Sequence, residues 1–262
     1  MNLYSASKYL KYMLFSSHRR GHGVHSPFVF NLITSVFRNK TEPGIVLSIE
    51  SLRKRMLEDS TILNVADYGS GSKQMKGNLR KLSDITRYSS VPKKYGLLLH
   101  YLAREFGNSG ILELGTSLGI SAMYMASGVQ DTPVYTIEGS SEVATVARSY
   151  IDFTGIGNIN ISVGRFDDEL PSIREKGFTP GLVFIDGDHR KESVIRYFKY
   201  IAEFSGEDSV IVIDDIYSSP EMGEAWDLIR QNERVSITVD IFRMGLVFFR
   251  KGITRTDYVI RY

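Results

Sequence analysis

Apolar positions follow one pattern in the first third of this chain and another beyond it. From about residue 93 onward, short apolar runs alternate with amphipathic stretches of helical period. Ile111–Leu114, Val134–Ile137, Ile159–Val163, Leu182–Ile185, Val210–Ile213, Ser236–Phe242 and Leu246–Phe249 read as strands. Helices are expected between them, at about 94–106, 120–127, 141–153, 168–176, 190–204 and 220–231. Ser219 and Pro220 open the last as N-cap and first helical residue. The first five strands are separated by helices and apolar throughout, which predicts a parallel sheet covered on both faces. The last two are joined by Arg243, Met244 and Gly245 alone, so they must form an antiparallel hairpin. The expected fold is α/β, with seven strands: five parallel, then the hairpin.

Residues 1–90 are less regular and read as a helical extension. Tyr4 to Phe15 is aromatic-rich with helical spacing, and Leu47 to Leu57 suggests another helix. Between them, Ser26 and Pro27 supply the N-cap and first turn of a third. The expected organisation is thus an extension over 1–90, acting as a substrate lid, and a main domain over 91–262.

At 262 residues and 42% hydrophobic content, the composition is that of an ordinary globular protein. With no cysteine in the chain, disulfides, thiolate metal sites and cysteine nucleophiles are excluded. No signal-peptide pattern or membrane-spanning run is visible, so a cytoplasmic location is expected. Net charge is only +2, but residues 1–41 hold six Lys or Arg (Lys8, Lys11, Arg19, Arg20, Arg38, Lys40) and no acid. Such an arm suits an anionic substrate, nucleic acid or a membrane surface; the plainer reading packs it on the core through its Tyr, Leu and Phe residues.

The chemistry concentrates in Gly110-Ile-Leu-Glu-Leu-Gly-Thr-Ser-Leu-Gly-Ile-Ser121 and in Val134-Tyr-Thr-Ile-Glu138. A strand, a glycine turn, a helix and a second strand tipped with an acid make half of a nucleotide-binding site. The glycines admit a ligand close to the backbone, and the acid can accept hydrogen bonds from two ribose hydroxyls. The Glu-x-Gly-x-x-x-Gly spacing differs from the Gly-x-Gly-x-x-Gly of dinucleotide binders and points to S-adenosylmethionine rather than NAD.

Ile111 to Ala126 closely resembles the first motif of the catechol O-methyltransferase-like, class I S-adenosylmethionine-dependent methyltransferases. The resemblance runs over roughly residues 91–250 and implies a Rossmann-like methyltransferase sheet. It implies that Gly115 and Gly119 line the methionine portion of the cofactor, that Ser121 contacts its carboxylate, and that Glu113 belongs to the cofactor-binding set. Glu138 would bind the ribose hydroxyls, Phe166 and Asp167 would flank the adenine, and Asp186 would also serve the cofactor. A second acid-and-glycine loop, Val65-Ala-Asp67-Tyr-Gly69-Ser-Gly71-Ser72, lacks a following strand ending in an acid and reads as a turn.

The expected fourth strand runs into Asp186-Gly-Asp188-His189 and the fifth into Asp214-Asp215. Parallel strands end on one edge, so these acids should converge. Each pair of carboxylates 4 Å apart repels by about 4 kcal/mol at an effective dielectric near 20, and a hard divalent cation is the natural partner. The Asp-Asp pair departs from the Asp-Asn of the catechol enzymes and looks more like macrocin-type sugar O-methyltransferases, which implies magnesium on Asp186, Asp214 and Asp215. The general base stays open between Asp188 and His189.

The expected activity is divalent-metal-dependent O-methylation of a small-molecule hydroxyl. Competing readings are a metal-independent methyltransferase acting on nitrogen or nucleic acid, an NAD-linked oxidoreductase and a binding-only protein. The Asn/Asp-Pro-Pro-aromatic motif of base methylation is missing, which disfavours nucleic acid. A homodimer is an open alternative for the oligomeric state, and the acceptor is left to the first 90 residues and to Tyr217–Met222 and Trp226.

Overall fold

The computed structural model describes residues 2–16, 24–39, 41–66 and 77–262. Arg19, Arg20, His22, Lys40 and the loop from Asp67 to Ser72 lie outside the described residues. In chain order, helices α1 (Leu3–Phe15) and α2 (Pro27–Asn31) are followed by a π-helical stretch, Leu32–Phe37, and by α3 (Ile45–Glu58). Strands β1 (Ile62–Asn64) and β2 (Leu79–Lys81) precede α4 (Leu82–Ser89) and α5 (Lys93–Phe106). The alternating part holds β3 (Ile111–Leu114), α6 (Ile120–Ala126), β4 (Val134–Glu138), α7 (Ser141–Thr154), β5 (Ile159–Val163) and α8 (Phe166–Arg174). It continues with β6 (Leu182–Ile185), α9 (Lys191–Glu203), β7 (Val210–Ile213), α10 (Pro220–Arg230), β8 (Ile237–Asp240), β9 (Gly245–Phe248) and β10 (Thr256–Val259).

These elements fall into two compact units, one of residues 41–179 and one of 1–40 with 180–262. The expected N-terminal extension therefore contributes to both. In the unit of residues 41–179, β3, β4 and β5 pair in parallel, with Ile111 opposite Val134 and Val134 opposite Ile159. Helix α5 lies against α6 at Gly96, where an added β-carbon would come within 2.5 Å of the Tyr124 ring. Tyr124 is fully buried and donates its hydroxyl to Glu50 Oε1 on α3 at 2.7 Å, which ties three helices together. Strands β1 and β2 pair antiparallel in the stretch expected to be a helical extension. Strands of three residues carry too little alternation to be read as such.

In the other unit the strand order is β10-β8-β9-β7-β6. Strands β6 and β7 run parallel, while β9 is antiparallel to both β7 and β8, giving the expected hairpin. Strand β10 was not expected: it adds in parallel to the edge of β8, so the main strands number eight rather than seven. Its Thr-Asp-Tyr-Val sequence is mostly half-exposed and has no apolar run. Trp226 on α10 is core: it is 1% exposed, and its ring fills the space left by the missing side chain of Gly245.

Helix α1 is seated in this unit by its aromatic residues. The Tyr12 hydroxyl donates to the Ile260 carbonyl at 2.8 Å and accepts from the Tyr262 N–H at 2.9 Å. Ser5 donates to the Tyr217 carbonyl, and the Lys8 ammonium lies 4.9 Å from the centre of the Tyr217 ring. The rings of Tyr9 and Tyr12 also pack against Phe242, with centres 5.0 and 5.5 Å away, while Leu10, Leu14 and Phe15 stay exposed. Among the described residues no helix is long and apolar enough to cross a membrane.

Candidate functional site

The residues singled out from sequence fall into two groups, one in each unit. In the unit of residues 41–179, β3 ends in a turn that returns to β4. The N–H groups of Gly115 and Thr116 both donate to the Ile137 carbonyl, at 3.0 and 3.2 Å. The turn needs left-handed backbone at Gly115 (φ 103°), Ser117 (φ 48°) and Gly119 (φ 80°). Glycine is the residue that adopts this without a steric penalty; Ser117 is held there at a cost, which is common in ligand-binding loops. At Gly119 a β-carbon would also come 3.0 Å from Ile151 Cδ1, so this helix start can approach α7 only without a side chain.

Glu138 ends β4, and its carboxylate is oriented by two backbone donors. Oε2 accepts from the Ser117 N–H at 2.8 Å and Oε1 from the Ser140 N–H at 2.9 Å. A carboxylate oxygen has two lone-pair sites, so an acceptor held this way suits a pair of hydroxyl donors. The end of β5 comes alongside, where the Gly164 N–H donates to the Glu138 carbonyl at 3.0 Å. Half-buried Phe166 and exposed Asp167 then open α8.

Glu113 is wholly buried beneath the turn. It accepts from the Thr136 hydroxyl at 2.6 Å, and Thr136 in turn pairs with Thr116 at 2.6 Å. Burial pushes the Glu113 carboxyl up to about 7, against the pull of the Ser121 and Thr136 hydroxyls and with a push from Glu138. Ser121 is itself buried in the first turn of α6. The structure therefore gathers Glu113, Gly115, Gly119, Ser121 and Glu138 around one strand-to-helix turn.

The acids of the other unit follow β6 and β7. Asp188 and Asp215 both take left-handed backbone, with φ of 49° and 53°. Both Asp188 oxygens are held by the Arg190 guanidinium, at 2.5 and 2.6 Å. His189 Nε2 lies 3.6 Å from Asp186 Oδ1. Asp214 is completely buried, and Arg243 grips it through Nε at 3.0 Å and Nη2 at 2.7 Å. The same Nη2 is 3.9 Å from Asp215. Burial and the Asp215 charge push the Asp214 carboxyl above the ordinary range, while Arg243 and His189 oppose them. Burial pulls the Arg243 guanidinium down, but the carboxylates of Asp214, Asp215 and Asp186 outweigh it and raise it.

Sequence reasoning asked for a cation beside these acids and overlooked Arg243. The signal was the hairpin: Gly245 pairs antiparallel with Ile213, so Arg243, two residues before β9, comes beside Asp215, two residues after β7. Asp214 thus turns its oxygens to a guanidinium, and among the described residues no group of three or more His, Asp or Glu side chains is arranged to hold a metal ion. The donor set of Asp186, Asp214 and Asp215 does not fit the magnesium that the resemblance implied.

Residues 112–216 match a family model described as a methyltransferase domain. A catechol O-methyltransferase of Niastella koreensis is 33% identical over 130 residues, which cover 48% of this chain and 58% of the relative. A catechol O-methyltransferase of Mycobacterium tuberculosis is 31% identical over 129 residues, covering 48% and 57%. The chain thus spans little more than half the length of these curated relatives. Among solved structures, an O-methyltransferase from Bacillus cereus in complex with S-adenosylhomocysteine superposes with a TM-score of 0.57 at 20% identity, covering 82% of this chain and 95% of that one. The O-methyltransferase TomG from Streptomyces achromogenes, in complex with S-adenosylmethionine, gives 0.57 at 20% identity, covering 85% and 96%. These likenesses establish the α/β Rossmann-like methyltransferase fold with N-terminal helices.

Proposed function

Because residues 112–216 match a methyltransferase-domain model and resemble the O-methyltransferases, we propose that the chain is a class I S-adenosylmethionine-dependent methyltransferase that methylates a hydroxyl group of a small molecule. The observation that carries the reading is Glu138, set at the end of β4 by the Ser117 and Ser140 N–H groups beside the turn of Gly115 and Gly119. In this reading Glu138 takes the ribose hydroxyls, and the turn with Ser121 takes the methionine end. Phe166 and Asp167 flank the adenine, and Asp186 supports the cofactor.

In the transfer, the acceptor oxygen attacks the sulfonium methyl group. The new C–O bond forms as the S–C bond breaks, leaving S-adenosylhomocysteine, and the hydroxyl proton passes to a base. His189 is the base we favour over Asp188, whose two oxygens are engaged by Arg190. The proton transfer needs only protein groups in this reading, with Asp214 already paired to Arg243. We further propose that residues 1–90 help to shape the acceptor pocket.

Calorimetry with S-adenosylhomocysteine and, in parallel, NADH tests the cofactor. Binding of the first alone supports the reading, and binding of NADH alone overturns it. The acceptor follows from transfer of label from methyl-tritiated S-adenosylmethionine into hydroxylated compounds. His189→Gln should lower kcat while leaving S-adenosylhomocysteine affinity unchanged.

A further inference from the structure

The acids at the ends of β6 and β7 need a positive partner, and the chain supplies its own. Arg243 meets Asp214 edge-on, with Nε and Nη2 on the two carboxylate oxygens at 3.0 and 2.7 Å. This two-pronged geometry is the strongest that a guanidinium and a carboxylate adopt. The backbone fixes the arginine in place. Gly245 pairs with Ile213, the Ile216 N–H donates to the Arg243 carbonyl at 3.2 Å, and the Arg243 N–H donates to the Ile241 carbonyl at 3.0 Å. The neighbouring Phe242 is held at a φ of 72°. Asp214 has no exposed surface, and the Arg243 side chain keeps only 28% of its own.

A hard divalent cation needs several oxygen ligands turned towards it, with their charge unspent. Here the one fully buried carboxylate of the set is turned to a guanidinium, which also reaches towards Asp215. An arriving ion would have to break the pair and share the space with a positive charge.

We propose that Arg243 replaces the divalent cation, neutralising Asp214 and Asp215 and keeping metal out of the site. Arg243 is thus a positioning residue, and its guanidinium is a permanent counter-charge that no chelator removes. The consequence for catalysis rests on the methyl-transfer reading, whereas metal exclusion is a binding property that can be measured without it.

The test titrates the full chain with Mn2+ and follows free Mn2+ by electron paramagnetic resonance. S-adenosylhomocysteine affinity is measured on the same preparation with and without EDTA. Wild-type protein should show no stoichiometric Mn2+ site at micromolar concentrations, and its cofactor affinity should not respond to EDTA. Arg243→Met should gain a Mn2+ site at least about tenfold tighter than any in the wild type, and adding Asp214→Asn should remove it. Arg243→Lys, which keeps the charge, should bind no Mn2+.

A micromolar Mn2+ site in the wild type that Asp214→Asn abolishes overturns the proposal. So does a folded Arg243→Met protein that still binds no Mn2+. If Arg243→Met does not fold, the wild-type titration and the Arg243→Lys protein decide. Failure to bind S-adenosylhomocysteine would remove the methyl-transfer reading and leave the Mn2+ result standing.

Discussion

Replacing Glu113 with glutamine should remove a loss of stability that the protein suffers as pH rises from 4.5 to about 7. The carboxyl has no exposed surface, and burial raises it from an ordinary 4.5 to about 7. At about 1.36 kcal/mol per pH unit, that rise amounts to roughly 3 kcal/mol of preference for the protonated form in the folded state. Below pH 4.5 both folded and unfolded chains hold the proton, and Glu113 contributes no pH dependence. Between 4.5 and about 7 the unfolded chain has released it and the folded chain has not, so stability falls as pH rises. Above that window the decline stops. Glutamine carries no ionisable group and skips the decline. A buried amide has its own hydrogen-bonding cost, but that offset is independent of pH. Urea unfolding of both proteins at about pH 5 and pH 8 should therefore show the glutamine variant gaining roughly 2–3 kcal/mol on the wild type between the two. A difference that stays constant across pH, or grows in favour of the wild type, would refute a Glu113 that ionises near neutrality.

Glu138→Ala removes the acceptor assigned to two ribose hydroxyls, each such bond to a charged group contributing about 1.5–3 kcal/mol, so calorimetry should show S-adenosylhomocysteine affinity falling at least about tenfold; unchanged affinity places the cofactor elsewhere. Gly119→Ala forces a β-carbon into left-handed backbone and against Ile151, and denaturant unfolding should register a loss of about 1–2 kcal/mol. Asp214→Asn leaves Arg243 without its paired charge and should destabilise by about 3 kcal/mol, the lower end for a broken buried pair because the arginine side chain keeps 28% exposure. That variant melting like the wild type would mean the pair contributes nothing to the fold.

Strands β3, β5, β6 and β7 were legible from sequence to the residue. For β3, β6 and β7 the reason is that every position is buried, so burial imposes an unbroken apolar run. Strand β10 was not, because its Tyr258 and Val259 are only half-buried and its pairing with β8 supplies the order that the side chains do not announce. Within the site, Glu113, Gly115, Gly119, Ser121 and Glu138 could be found because one local strand–turn–helix unit gathers most of them and β4 brings the last. Arg243 could not be found that way. Its partner is 29 residues away in the chain, and their meeting depends on how β9 is registered against β7. A lone arginine in a hairpin loop looks like a solvated charge until that register is known. The left-handed backbone of Ser117, Asp188, Asp215 and Phe242 was equally hidden, since none is the glycine that usually marks it.

The anchoring of α1 has a consequence for how the chain is made. Tyr12 is held by Ile260 and Tyr262, and the Met13 carbonyl receives a hydrogen bond from Arg261 at 3.1 Å, across about 250 residues of sequence. On the ribosome, α1 emerges some 250 residues before the segment that holds it and waits that long without these partners. Tyr12, buried in the folded unit, is uncovered throughout that wait. The docking of α1 therefore has to follow synthesis of the segment around Ile260–Tyr262, a contact of very high sequence separation.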